Sequence, residues 1–392
     1  MAAPAIPPLP PFDPANSIYT FSNFKTTNTR KLRAALARVQ SGVGPDGVFL
    51  CIGDSKTAGA GATTAGSYVG AYPNSYPVQL AKLLTSRGTN AGWNSWFCDH
   101  NVNSVATLPQ YDARWTLGAG WLTGGAYWAC GPGYCLTNRT TTNVAALTPT
   151  VAFDGIELYY ITGGGFGTFK IDVDGGSALG TYNTWTSESV TKVTITGLAN
   201  TTHTINFTPT SVGSGIFIYG LRILNSTAPK IDVCNWGAAG STSSSWLPNA
   251  HPWEGVKPLK DGKIGQDCSF IDIQINDLLV ASPDVTSYTA NMEEIITAAK
   301  VSGDVVLLNT YPGNTAAGGF YVNTDGAIFN TFQQALYGLA MTNDCPIISL
   351  KQRWTSYDVS QPLGYYSDTT VHGSRQGYGD VAQTVTQLIT SV

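Results

Sequence analysis

The stretch CIGDSKTAG places a serine, Ser55, directly after Gly53 and Asp54, where an uncharged run of Val48, Phe49, Leu50, Cys51 and Ile52 stops. A serine hydroxyl is a weak nucleophile on its own. It attacks a carbonyl only when a neighbouring general base takes its proton, and histidine does this most often because its pKa lies near working pH. The chain has four histidines, His100, His203, His251 and His372. His203 lies in THTIN, where the alternation marks a strand surface, while His100 and His251 stand in loops; all three read as surface or packing residues. His372, in SDTTVHGSRQGYGDVA, is the candidate base. The competing reading of Ser55 is a loop serine that caps the next helix.

Two residues more than three hundred positions apart need a scaffold that brings them together. The run before Ser55 is short, β-branched and aromatic in part, which suits a strand covered on both faces of a parallel sheet. Ser55 then sits at the carboxyl end of that strand, the edge where open α/β sheets bind ligands. In NSYPVQLAKLLTSRG, Pro77 suits a first helical turn, Val78, Leu80, Leu83 and Leu84 make an apolar face, and Gly88 suits the end. Short apolar runs return at 231–234, 270–275, 305–308 and 347–350, separated by helix-like stretches such as Met292, Ile295, Ile296 and Ala299. A last helix runs from Tyr378 through Val381, Val385 and Leu388. The pieces predict an α/β fold with a doubly wound, mainly parallel five-stranded sheet and right-handed crossovers. That fold returns His372, after the last strand, to the edge that holds Ser55.

Between about 97 and 228 the period changes from helix-and-strand to strict alternation. Phe169, Ile171 and Val173 alternate with Lys170, Asp172 and Asp174; Ile156, Leu158 and Tyr160 do the same, and Val193, Ile195, Ile205 and Phe207 continue it. Glycine-rich turns such as Gly163-Gly164-Gly165 separate the runs. This predicts an antiparallel β-sandwich, read as a jelly roll, inserted into the α/β domain. The expected division is a proline-rich lead-in with a helix-like segment over 1–45, a discontinuous α/β domain over 46–96 and 229–392, and the β insert over 97–228.

GDSKTAG, NWGAAGST after the second strand, IQINDL after the third and DTTVHGSRQGYGDVA near the end resemble, in order, the four motif blocks of the SGNH/GDSL serine hydrolases. The resemblance covers roughly 46–95 and 229–392 and leaves the insert outside. It implies a flavodoxin-like α/β fold and a carboxylic ester hydrolase that needs no cofactor. Carried over residue by residue, it makes Ser55 the nucleophile and a backbone donor to the oxyanion hole, with Gly240 as a second N–H donor and the Asn276 amide as a third. His372 becomes the base. Taken singly, Gly240 reads as a tight turn and Asn276 as a helix cap. Two positions depart from the pattern. Gln274 stands where the third block usually has glycine, and Thr369 occupies the usual acid position, leaving Asp368 one residue further from His372. Asp368 is the expected acid through a longer loop; otherwise a backbone carbonyl orients the ring. Asp54 and Asp277 read as structural residues that brace the loops.

The net charge of −4 gives no basic footprint for nucleic acid, and no apolar run is long enough for a spanning helix. The N-terminal MAAPAIPPLPPFDP has neither a basic start nor an unbroken apolar core, so it reads as an extended lead-in and not as an intact signal peptide. With only 12% charged residues and 43 glycines, the composition is of a kind common in extracellular proteins and virion fibres. Of seven cysteines, Cys51, Cys98, Cys234, Cys268 and Cys345 stand in or beside apolar segments and read as core. Cys130 and Cys135 bracket GPGY and are a candidate disulfide, and no spacing suits a metal. The insert is rich in Trp, Tyr and Asn and resembles modules that accompany carbohydrate-active enzymes, which makes an O-acetylated polysaccharide the first substrate expectation. The alternatives are a lipid-ester or thioester hydrolase, and a non-catalytic glycan-binding or virion-fibre protein with a degenerate hydrolase domain.

Overall fold

Strands that carry apolar side chains on both faces can be satisfied only between two layers of helix. In the computed structural model, which describes residues 21–98, 107–123, 129–130, 133–140 and 142–391, every residue of Gly47–Gly53, Ile231–Gly237 and Cys268–Asp272 is buried. These three strands pair in parallel with one another around Gly47–Gly53, and Asp304–Asn309 and Ile347–Ser349 extend the sheet on the Cys268–Asp272 side. Among the described residues the sheet has seven strands and not the expected five. The extra two are edge pieces of two residues each: Ala91–Gly92, parallel to Ile231–Gly237, and Phe21–Ser22, antiparallel to Ile347–Ser349. Two residues are too few to leave a period in the sequence.

Alternate residues of the central strand face opposite layers. Phe49 and Cys51 join a core with Leu32 and Leu36 of helix Arg30–Gln40, Leu80 and Leu84 of Tyr76–Ser86, and Val381 and Val385 of Arg375–Thr390. Val48, Leu50 and Ile52 join a second core with Met292 and Ile295 of Val285–Ala299 and Phe332 and Leu336 of Ala327–Thr342. The sheet is therefore doubly wound. Its topological switch falls at Gly47–Gly53, whose neighbours are the second and third of the five principal strands, so the crevice opens at the strand that ends in Ser55.

Among the described residues from 96 to 224 the chain builds two large antiparallel sheets and a two-stranded one, Ala129–Cys130 with Gly133–Tyr134. Of the large sheets, one runs Gly180–Asn183, Phe166–Val173, Ile205–Gly213, Ala145–Leu147, Trp115–Leu117; the other runs Ser189–Thr201, Phe153–Thr162, Ile216–Leu224, Leu136–Asn138, Trp121–Thr123, with Trp96–Phe97 also on Ile216–Leu224. Their inner faces meet through aromatic pairs such as Tyr160 with Phe169, 5.5 Å apart and edge-on. His203, expected on a strand surface, is instead buried, with its ring nitrogens on Asp174 and the Ala199 carbonyl. The five cysteines expected in the core are buried, and burial pushes the Cys51 thiol up to about 12, which keeps it inert. Cys135 is in a disulfide, but the side chain of Cys130 lies outside the described residues, as does His100. Among the described residues no helix is long and apolar enough to cross a membrane.

Candidate active site

Gly53 ends the central strand because the chain turns back on itself: a Cβ there would lie 2.1 Å from Thr57 Oγ1. The turn is the short helix Ser55–Ala58, capped by Asp54, whose Oδ1 accepts from the Lys56 N–H at 2.8 Å. Three outside donors then hold the carbonyls of this helix and of the residues just after it: Asn235 Nδ2 on Thr57 at 3.0 Å, Tyr111 Oη on Ala58 at 2.6 Å, and Tyr378 Oη on Ala60 at 2.6 Å. Ser55 is 6% exposed and sits in a turn fixed from several sides. Burial and the Asp54 charge push the neighbouring Tyr68 phenol up, opposed by its interaction with Ser55.

The His372 loop is closed by a bridge between Tyr366 and Gly373 and by the Ser367 N–H on the His372 carbonyl at 3.0 Å. Inside it, Asp368 Oδ1 accepts from the Thr370 N–H at 2.8 Å, the Thr370 hydroxyl at 2.9 Å and the His372 N–H at 3.2 Å. The other oxygen, Oδ2, meets His372 Nδ1 at 2.5 Å, and His372 Nε2 lies 3.1 Å from Ser55 Oγ. The one-residue displacement of the acid is thus absorbed by a loop wrapped around its own carboxylate. Burial raises the Asp368 carboxyl, but the hydrogen bond and charge of His372 outweigh it and hold the group below its usual range. An ionised Asp368 places the ring proton on Nδ1 and leaves Nε2 to accept from the serine. The ring is held by a carboxylate, and no backbone carbonyl is needed.

Gly240 and Asn276 come to the same edge from the next two strands. The Ala238 N–H on the Gly53 carbonyl, at 2.8 Å, draws the Gly240 loop against the nucleophile strand. Asn276, in the one-turn helix Ile275–Leu278, donates from Nδ2 to the Ser241 carbonyl at 2.9 Å, which leaves its second amide hydrogen for another acceptor. Gly240 has φ +72, and a Cβ added to it would meet nothing within 4 Å. Its backbone conformation therefore calls for glycine, and the space above it is open. Asp277 takes the Ser243 N–H at 2.9 Å and hydroxyl at 2.6 Å, bracing this loop as expected.

Gln274 does not obstruct the site. Its φ of −163 is extended backbone that any residue adopts, and its fully buried side chain turns inward, where Oε1 accepts from Gln333 Nε2 at 3.0 Å and the Thr310 N–H at 3.3 Å. His251 stays away from Ser55: it stacks on Trp253, with centroids 4.9 Å apart, and pairs with Glu188 at 2.9 Å. Sequence reasoning missed Lys56. It is 1% exposed and reaches Asp272 at 3.0 Å, and its position as a lone cation in a run of small and apolar residues was the available signal. Clefts of about 710 and 530 Å³ lie elsewhere, one lined by Arg30, Arg33 and Arg87 and the other by Asp46, Glu157 and Arg222. The site is defined by strand ends and not by either cavity.

Neither a family model nor a curated protein matches the chain. Solved structures do. A peptidoglycan O-acetylesterase matches with a TM-score of 0.69 and 17% identity over 95% of this chain and 99% of that one. A lipase/acylhydrolase from Enterococcus faecalis (TM-score 0.34, 17% identity) covers 41% of this chain and 77% of its own. A family two carbohydrate esterase from Clostridium thermocellum, in complex with cellohexaose (TM-score 0.33, 11% identity), covers 66% and 94%. Of these three, the first superposes well enough to speak of a shared fold. This chain shares the fold of that peptidoglycan O-acetylesterase. A match over 95% of the chain must run through the antiparallel sheets as well, so the likeness extends past the segments that carry the motifs.

Proposed function

We propose that the chain is a serine esterase that works through an acyl-enzyme and removes acetyl or another short acyl group from a carbohydrate, with O-acetylated polysaccharide as the substrate class. The observation that carries this reading is the continuous relay from Ser55 Oγ through His372 to Asp368, with contacts of 3.1 and 2.5 Å. In the proposed mechanism Ser55 Oγ attacks the ester carbonyl as His372 Nε2 takes its proton, and Asp368 stabilises the imidazolium through Nδ1–H. The N–H groups of Ser55 and Gly240 and the free amide hydrogen of Asn276 receive the negative charge on the carbonyl oxygen. His372 then protonates the leaving alcohol, and a water activated by the same histidine releases the acid. No step calls on a cofactor.

The carbohydrate part is supported by the fold shared with the peptidoglycan O-acetylesterase and by one feature of the antiparallel sheets. Trp185 is 67% exposed, in the turn that also carries Glu188, and the Glu188–His251 pair docks this turn on the loop that follows Gly240. An exposed indole on a turn tied to the loop after Gly240 suits stacking on a sugar ring. In this reading 46–96 and 229–392 do the chemistry, and 97–228 selects the substrate. The low-charge composition supports an extracellular or virion-associated setting. The test is hydrolysis of p-nitrophenyl acetate followed by free-acetate release over a panel of acetylated glycans. Release from at least one glycan is expected. Turnover of lipid esters with none from glycans would overturn the substrate class, and no ester hydrolysis at all would leave a binding protein.

A further inference from the structure

The proposed mechanism gives no work to Lys56, the residue after the nucleophile. A buried ammonium is unfavourable unless it is paired and hydrogen-bonded, so its partners show what it does. Nζ lies 3.0 Å from Asp272 Oδ1 and 3.8 Å from Asp54 Oδ2, donates to Thr310 Oγ1, and stands 5.1 Å from the centre of the Tyr311 ring. Asp54, Asp272 and Thr310 stand at the carboxyl ends of three adjacent strands, Gly47–Gly53, Cys268–Asp272 and Asp304–Asn309. Asp272 is also the register partner of Gly53, so the clamp closes across the sheet directly beneath the turn. At its other end, the Lys56 backbone N–H is held by Asp54 Oδ1 at 2.8 Å. The residue that follows Ser55 is therefore fixed at both its backbone and the tip of its side chain.

We propose that Lys56 is a positioning residue of the catalytic centre: its buried ammonium, clamped between Asp272 and Thr310 beside Asp54, fixes the turn that presents Ser55 to His372. The inference rests on the reading of Ser55 as nucleophile. Lys56 touches neither substrate nor the reacting atoms, and it acts by holding the serine oxygen at the distance from which proton transfer and attack proceed. Displacing a reacting group by about 1 Å costs on the order of 100-fold in rate, so a clamp of this kind appears in kcat and not in KM.

Lys56→Met alone strands both the Asp272 and the Asp54 carboxylates, so the informative variant is the double change Lys56→Met with Asp272→Asn, which removes the closer ion pair whole and leaves Asp54 its hydrogen bond from the residue 56 N–H. Steady-state hydrolysis of p-nitrophenyl acetate and the rate of fluorophosphonate labelling are measured beside thermal unfolding. The expected result is a folded double variant whose kcat and labelling rate fall about 10- to 100-fold while KM stays within about twofold. A folded double variant with wild-type kcat, or one changed in KM alone, would overturn the proposal. Thr310→Val removes one arm of the clamp without stranding a charge and carries the test where the double variant does not fold. It should lower kcat about threefold or more with KM unchanged, and no change would overturn the proposal. Wild-type protein that takes no label at Ser55 would defeat the nucleophile assignment itself, whatever the Lys56 variants do.

Discussion

The strand Gly47–Gly53 has a buried ion cluster at each end, and the two are built differently. At its start, Asp46 meets Lys230 at 2.7 Å, while Arg222 reaches Asp232 at 3.1 Å and Glu157 at 2.7 Å. Burial pushes the Asp46 carboxyl up against the pull of Lys230; Glu157 is raised by burial but pulled lower still by Arg222 and Lys192, and ends below its usual range. At the strand's far end a single ammonium, Lys56, serves two carboxylates, and burial, with Asp272 adding to it, pushes Asp54 up to about 7. The first cluster spreads its cations over both sheet systems and closes the seam between them. The second leaves one carboxylate short of a partner beside Ser55 and His372. The same residue types thus serve cohesion at one end and the site at the other.

If that contrast holds, changes at the catalytic end should remove rate and leave the fold, while changes at the seam should do the reverse. The largest effect expected is on turnover: His372→Ala and Asp368→Asn should each lower kcat by about four decades, because the 2.5 Å contact makes the displaced aspartate a full partner. A mild Asp368→Asn phenotype in a p-nitrophenyl acetate assay would return the ring to some other support. At the seam, Arg222→Met strands Asp232 and leaves Glu157 to Lys192 alone, and should cost about 3–5 kcal/mol in denaturant unfolding, with the fraction that remains folded still labelling at Ser55. Asn276→Ala should lower kcat by about two to three decades without loss of stability. A change confined to KM would make Asn276 a binding group.

Smaller effects sharpen the same comparison. A folded-state pKa raised from 3.8 to about 7 means that Asp54 holds its proton more tightly folded than unfolded. Its contribution to stability is fully present below about 3.8 and lost as pH rises through about 7, so Asp54→Asn should flatten that decline in melting temperature between pH 4 and 8. An unchanged slope would mean that another group titrates there. Excising 97–228 is a poor test of substrate choice, because it would strip Arg222 from Asp232 and Tyr219 from Trp236. Trp185→Ala is cleaner. It should lower activity on acetylated polysaccharide by about a decade, roughly 1.4 kcal/mol, with p-nitrophenyl acetate turnover unchanged.

Much of the catalytic edge was legible because each motif sits where an apolar run stops, and the end of such a run is a strand end. The stops at Gly53, Gly237 and Asp272 place Ser55, Gly240 and Asn276 on one edge before any distance is known. The path of the Asp368 loop was not legible, since it depends on three donors wrapping one carboxylate oxygen. Nor was the inward turn of Gln274, whose partners Thr310 and Gln333 lie far along the chain. Lys56 escaped for a different reason. A lysine is read as a surface residue unless its acids are known to be near, and Asp272 is 216 positions away.

The claim on which all of this turns is that Ser55 is an activated nucleophile. Incubation of the wild-type protein with a fluorophosphonate at neutral pH, followed by peptide mass spectrometry, tests it directly. A single covalent adduct on the peptide containing Ser55 is predicted, slowed by several decades in His372→Ala and absent in Ser55→Ala. No adduct on the wild type, or labelling of Ser55→Ala at the wild-type rate, would contradict the account.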